Sequence, residues 1–112
     1  MTIDPIVSSV MEIIQLLASP EEQEEYQADS QSDIGPELLA WWCEDIYSED
    51  ARERLLGALT VREGQALEEF NVYIQDRLEA IPDSFEEMQD CEEWVEIVEK
   101  AGEVLEKLGW GQ

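Results

Sequence analysis

Apolar residues in this chain recur at intervals of three and four, and no segment sustains a period of two. Side chains at i, i+3, i+4 and i+7 share a face only on a helix, so this spacing restricts the chain to helical architecture. Val7, Val10, Ile14 and Leu17 line one face of a first segment, flanked by Ile6, Met11 and Ile13. Ser8, Glu12, Gln15 and Ser19 line the opposite face, and Asp4 and Pro5 suit the N-cap and first helical position. Three capping boxes mark further helix starts: Ser19-Pro20-Glu21-Glu22, Thr60-Val61-Arg62-Glu63 and Ser84-Phe85-Glu86-Glu87. In each, the hydroxyl can accept from the backbone N–H three residues on, while the glutamate reaches back to the cap.

The helix from Ser19 runs to about Ala28 and offers little but Tyr26 for burial. Asp29 to Gly35 has loop composition. Pro36 starts a helix on which Leu39, Trp42, Cys43 and Ile46 share a face, with Trp41 and Tyr47 beside it. Ser48 caps a short helix carrying Ala51, Leu55, Leu56 and Leu59. The Thr60 helix carries Leu67, Phe70, Ile74, Leu78 and Ile81 and ends at Pro82. The Ser84 helix is the longest, with Met88, Cys91, Trp94 or Val95, Val98, Ala101, Leu105 and Leu108 as its stripe. Gly109 suits a left-handed cap that folds Trp110 back onto Leu105. The spacing predicts an all-α single domain over residues 1–112. It is expected to be a compact bundle of about five or six helices with little or no sheet. The Ser84 and Thr60 helices should form an antiparallel pair at its centre.

Charge sets the partner class. The chain has 29 acids, six bases and no histidine, for a formal charge of -23. Met1 to Ala51 holds 13 acids and no base, Arg52 to Arg77 holds 5 acids and 4 arginines, and Leu78 to Gln112 holds 11 acids and 2 lysines. Such a chain is repelled by nucleic acid and anionic membranes and drawn to basic protein surfaces. Self-repulsion should oppose compaction, so added salt or mild acid should raise the melting temperature. Asp50 with Arg54, Glu96 with Lys100 and Glu103 with Lys107 are spaced for local ion pairs, which leaves most carboxylates without a partner.

Several chemistries are excluded by what is missing. Without histidine there is no Ser-His-Asp or Cys-His arrangement and no histidine metal site. There is no glycine-rich phosphate loop and no basic patch with interleaved aromatics. Asp29-x-Gln31-x-Asp33 begins like a calcium loop, but Ile34 and Ala40 stand where Gly and Glu are required. Cys43 and Cys91 read as buried reduced thiols, and no cofactor or metal is expected. No Lys or Arg precedes the apolar stretch Ile6 to Leu17, and the stretch is too short to span a bilayer. The expectation is a soluble cytoplasmic protein.

One enzymatic pattern is present. Glu21-Glu22-Gln23-Glu24-Glu25 and Glu86-Glu87-Met88-Gln89-Asp90 place carboxylates at i and i+3, where two helices could hold hydrated Mg²⁺ against a pyrophosphate. This resembles the all-α nucleotide pyrophosphohydrolases of the MazG type, and the resemblance implies magnesium-dependent nucleotide hydrolysis. The strings lie in opposite halves of the chain, and no Lys or Arg flanks either to hold phosphates.

The acidic surface is the stronger signal. From Asp83 to Glu106, ten of 24 residues are acidic. On one continuous helix that is one charge per roughly 3.6 Å, against one phosphate per about 3.4 Å along a DNA strand. Glu86, Asp90, Glu93, Glu96 and Glu103 fall nearest a single stripe opposite Trp94, Val98 and Leu105. Acidic helical inhibitors of restriction enzymes and CRISPR nucleases, and immunity proteins that plug nuclease toxins, work by a similar logic. Two roles are open to Trp41: cover for the core edge beside Trp42, or anchor of a partner or homodimer interface. The expected function is non-catalytic binding of a basic protein, with a nucleic-acid-mimicking inhibitor of a nucleic-acid-binding enzyme as one form. An adaptor using an apolar face and the magnesium hydrolase are the alternatives.

Overall fold

The first helix is the least polar, and it lies at the middle of the core. The computed structural model describes residues 5–110, without the Glu49 side chain, so the Asp4 cap lies outside the described residues. Helix α1 (Pro5–Ala18) buries Val10, Ile13, Ile14 and Leu17 and packs most extensively against the C-terminal helix. Each fully buried aliphatic side chain of this kind contributes about 1.5–3 kcal/mol. Among the described residues the fold is all-α, with seven α-helices, one π-helical turn, one 3₁₀ turn and no strand.

Helix α2 (Pro20–Asp29) follows directly, capped by Ser19, whose hydroxyl accepts from the Glu22 N–H at 3.3 Å. Tyr26 is exposed, against expectation; the buried residue is Gln23. Its amide nitrogen donates to the Leu16 and Leu17 carbonyls at 3.0 and 2.9 Å, satisfying the C-terminal end of α1. Gln27 then closes the following loop, accepting from Ile34 N–H and donating to the Ser32 carbonyl.

Helix α3 (Ile34–Ala40) starts two residues before Pro36 because Asp33 caps it. One carboxylate oxygen of Asp33 accepts from Gly35 N–H at 3.1 Å and from Phe85 N–H at 2.8 Å, capping two helices at once. Gly35 permits this approach, since a Cβ there would lie 2.4 Å from Met88 Sδ. The chain continues as a π-helical turn, Trp41–Ile46. Ile34, Leu38, Trp42 and Ile46 take the interior, and Leu39 and Cys43 are only partly buried. Trp42 stacks on Tyr47 at 5.3 Å and meets Phe70 edge-on at 5.2 Å, and its indole N–H donates to Asn71 Oδ1.

Helix α4 (Glu49–Gly57) is capped by Ser48 as expected. Helix α5 (Val61–Gln75) has both halves of the Thr60 capping box and buries Leu67, Phe70 and Ile74. It stops short of the expected Ile81. A 3₁₀ turn covers Leu78–Ala80 and Ile81 is extended, the conformation favoured before Pro82.

The expected long C-terminal helix is broken. Helix α6 spans only Phe85–Met88, and helix α7 spans Glu92–Leu108, with Cys91 extended between them. The Ser84 hydroxyl makes no cap hydrogen bond, and Asp33 instead accepts from the Phe85 N–H. The break turns Phe85 and Met88 toward α3 and leaves Trp94, Ile97, Ala101, Val104 and Leu105 of α7 to the core. Gly109 is left-handed at φ 71°, and Trp110 N–H donates back to the Leu105 carbonyl. Gln15 donates to the Trp110 carbonyl, joining the C-terminal ends of α1 and α7. Helices α5 and α7 are antiparallel, with Arg62 meeting Lys107 and Arg77 meeting Glu96, but this pair is less extensive than α1 with α7.

Candidate functional site

Five of the six bases are engaged in contacts among α4, α5 and α7, and the sixth, Arg54, borders a surface cavity with Asp45 and Asp50. The Arg52 guanidinium donates to Glu68 at 2.8 Å, an interaction that raises its pKa. Arg77 lies 3.4 Å from the Tyr73 ring centroid, donates to the Tyr73 carbonyl and faces Glu96 at 3.5 Å. Lys100 sits 5.6 Å from the same ring, and Lys107 is 3.8 Å from Glu69. Arg62 donates to the Lys107 carbonyl at 2.8 Å. These contacts join α4, α5 and α7. None of the three i, i+4 pairs expected within single helices forms among the described residues; Glu96 faces Arg77 and Lys107 faces Glu69, both between elements.

The five acids expected on one stripe do not form one. Glu86 lies on α6 and Asp90 on the turn after it, both exposed but ahead of the break. Glu93 is half-buried, its carboxylate accepting from the Cys91 thiol at 3.3 Å. Glu96 faces α5 and Arg77. Glu103 alone of the five stands on the outer face of α7, beside a surface cavity of about 450 Å³ that also meets Lys100 and Lys107.

The coherent acidic row on α7 is Glu92, Glu99, Glu103 and Glu106, with Val95 among them. All five are exposed at successive spacings of 3, 4, 4 and 3 from Glu92, the i, i+3, i+4 pattern of one helical face. None of the four acids is in an ion pair among the described residues. The row averages one carboxylate per roughly 7 Å of axis, about half the density expected of one continuous helix. Helix α2 carries a second acidic surface, with Glu21, Glu22, Glu24, Glu25 and Asp29 all exposed.

Trp42 is fully buried, as expected of a core residue. Trp41 is half-buried against the core edge and borders a surface cavity of about 520 Å³ with Ile6, Asp45, Asp50 and Arg54. Tyr47 is a core residue whose phenol burial pushes up to about 12, with Arg52 opposing the shift and Glu68 adding to it. Cys43 and Cys91 are free and half-buried rather than fully enclosed. Burial pushes the Cys43 thiol up, a hydrogen bond from Gln75 opposes this, and Glu44 adds to it. A thiol held protonated is a poor nucleophile.

Among the described residues, no three acids or thiols are grouped so as to hold a metal ion. Asp33, the second acid of the calcium-like string, is committed to backbone amides. Glu21, Glu22, Glu25, Glu86, Glu87 and Asp90 all point to solvent. No helix among the described residues is long and apolar enough to cross a membrane. No protein-family model, curated protein or solved structure matches the chain.

Proposed function

We propose that this chain is a non-catalytic acidic protein that binds a basic protein partner through carboxylates fixed on helical scaffolds. The observation that carries this is the surplus of acids without an ion pair. Arg52, Arg62, Arg77, Lys100 and Lys107 are engaged in contacts among α4, α5 and α7, while Glu92, Glu99, Glu103 and Glu106 of α7 and the exposed acids of α2 are in no ion pair among the described residues. A field of one sign over part of a surface steers an oppositely charged partner into encounter, and the rate falls with ionic strength. Because α7 is locked into the core by Trp94 and Ile97, its row keeps a fixed spacing that a basic groove can read. Occupation of a nucleic-acid-binding groove is the specific form of this reading. The row is sparser than a phosphate strand, so in that form α7 would place a carboxylate near alternate phosphate positions.

Capture from a host lysate on the immobilised chain tests the proposal. Basic proteins should be retained at low salt, released by salt, and displaced by duplex DNA if the groove is a nucleic-acid site. Changing Glu92, Glu99, Glu103 and Glu106 together to Gln should abolish retention. Retention of the same proteins by that variant would contradict the proposal.

A further inference from the structure

We infer that the outward face of α5 is a docking surface for a second copy of this chain. Val61, Gln65, Glu68 and Val72 lie at i, i+4, i+7 and i+11, on one side of the helix. Val61 and Val72 are the two most exposed large apolar residues among those described, at 79% and 55%. They span about 16 Å of helix. Leu56 and Leu59 border the N-terminal end of this face, and with Val61, Gly64 and Gln65 they line a groove of about 660 Å³.

Charge selects the occupant. Over most of the surface two copies of a chain of charge -23 repel each other. On this face the charges cancel within the chain. Glu68 is held by Arg52, Glu69 by Lys107, and residues 52–77 hold 5 acids against 4 arginines. A two-fold contact centred on the valine row therefore buries apolar area where Glu68 and Glu69 are already neutralised, with Asp76, one turn beyond Val72, left at its edge. A basic partner gains little here, because Glu68 and Glu69 are already paired. The face is small, so the dimer should be weak and concentration-dependent.

The salt response separates this dimer from the acidic rows. Screening weakens capture of a basic partner but strengthens association of two like-charged copies. Sedimentation equilibrium of the full chain should show its mass rising toward two chains at about 1 mM protein in roughly 0.5 M NaCl, and falling back to one chain at low salt. Val61→Glu and Val72→Glu should each weaken the dimer at least tenfold, a change of about 1.4 kcal/mol. Val61 is the first residue of α5, where an acid suits the helix dipole, so that variant should fold, as circular dichroism would verify. Val95→Glu, on the exposed face of α7, should leave the dimer unchanged. A single-chain mass at high salt and high concentration would overturn the inference. So would a dimer that tolerates both α5 substitutions, or one that Val95→Glu disrupts equally.

Discussion

Helices α2 and α7 are both rich in acid, yet they are held in opposite ways. Helix α7 presents a row of glutamates on one face because its other face carries Trp94, Ile97, Ala101, Val104 and Leu105 into the core. Helix α2 has no apolar face at all. It is fixed by the Ser19 cap, by the buried Gln23 amide clasping the end of α1, and by Gln27, which bonds Ser32 and Ile34. The same composition thus yields one acidic surface with core-enforced geometry and one tethered by polar contacts. Burial gives a helix a fixed azimuth, whereas a cap fixes only its end.

Four substitutions probe this contrast. Trp94→Ala should cost about 3–5 kcal/mol, a large share of the stability of a small domain, and chemical denaturation would show whether the whole fold is lost. Gln23→Ala should cost roughly 1–3 kcal/mol by removing the buried amide from the Leu17 carbonyl, while the Leu16 carbonyl keeps the Ser19 N–H. Hydrogen exchange in that variant should speed up over α2 and the end of α1 while α7 stays protected. Equal loosening of both helices would break the contrast. The smallest effects should differ in sign. Glu22→Gln removes an acid from the first turn of α2 and should destabilise by about 0.3–1 kcal/mol. Glu106→Gln removes an acid from the last turn of α7 and should stabilise by a similar amount. Both effects should shrink in high salt when melting is followed.

What could be read from the sequence was local. The Thr60 box, the Ser19 and Ser48 caps and the Gly109–Trp110 turn were legible because their partners lie within a few residues. The separate start of α6 was not, because the Phe85 N–H is taken by Asp33, 52 residues away. The burial of Gln23 was hidden for a similar reason, since a polar residue in a polar helix gives no sign that it faces a helix end. The acidic site was misplaced by a rotation of α7. Taking Val98 and Leu105 as the middle of the buried face omitted Ile97 and Val104 and turned the assigned stripe toward α5, onto Glu93 and Glu96. Glu92, Glu99 and Glu106 were recoverable by applying the same three-and-four spacing to the acids themselves. The Trp94-or-Val95 ambiguity is resolved by structure, with Trp94 buried and Val95 exposed.

The most direct test compares the two acidic helices in binding. With a basic partner recovered by capture, its dissociation constant would be measured across a salt series for three proteins: the parent, a variant with Glu92, Glu99, Glu103 and Glu106 changed to Gln, and a variant with Glu21, Glu22, Glu24 and Glu25 changed to Gln. Both variants lose the same formal charge. If the fixed row on α7 is the contact, its variant should lose far more affinity and show the flatter salt dependence. Equal losses in the two variants would mean that only net charge matters, and would contradict the account.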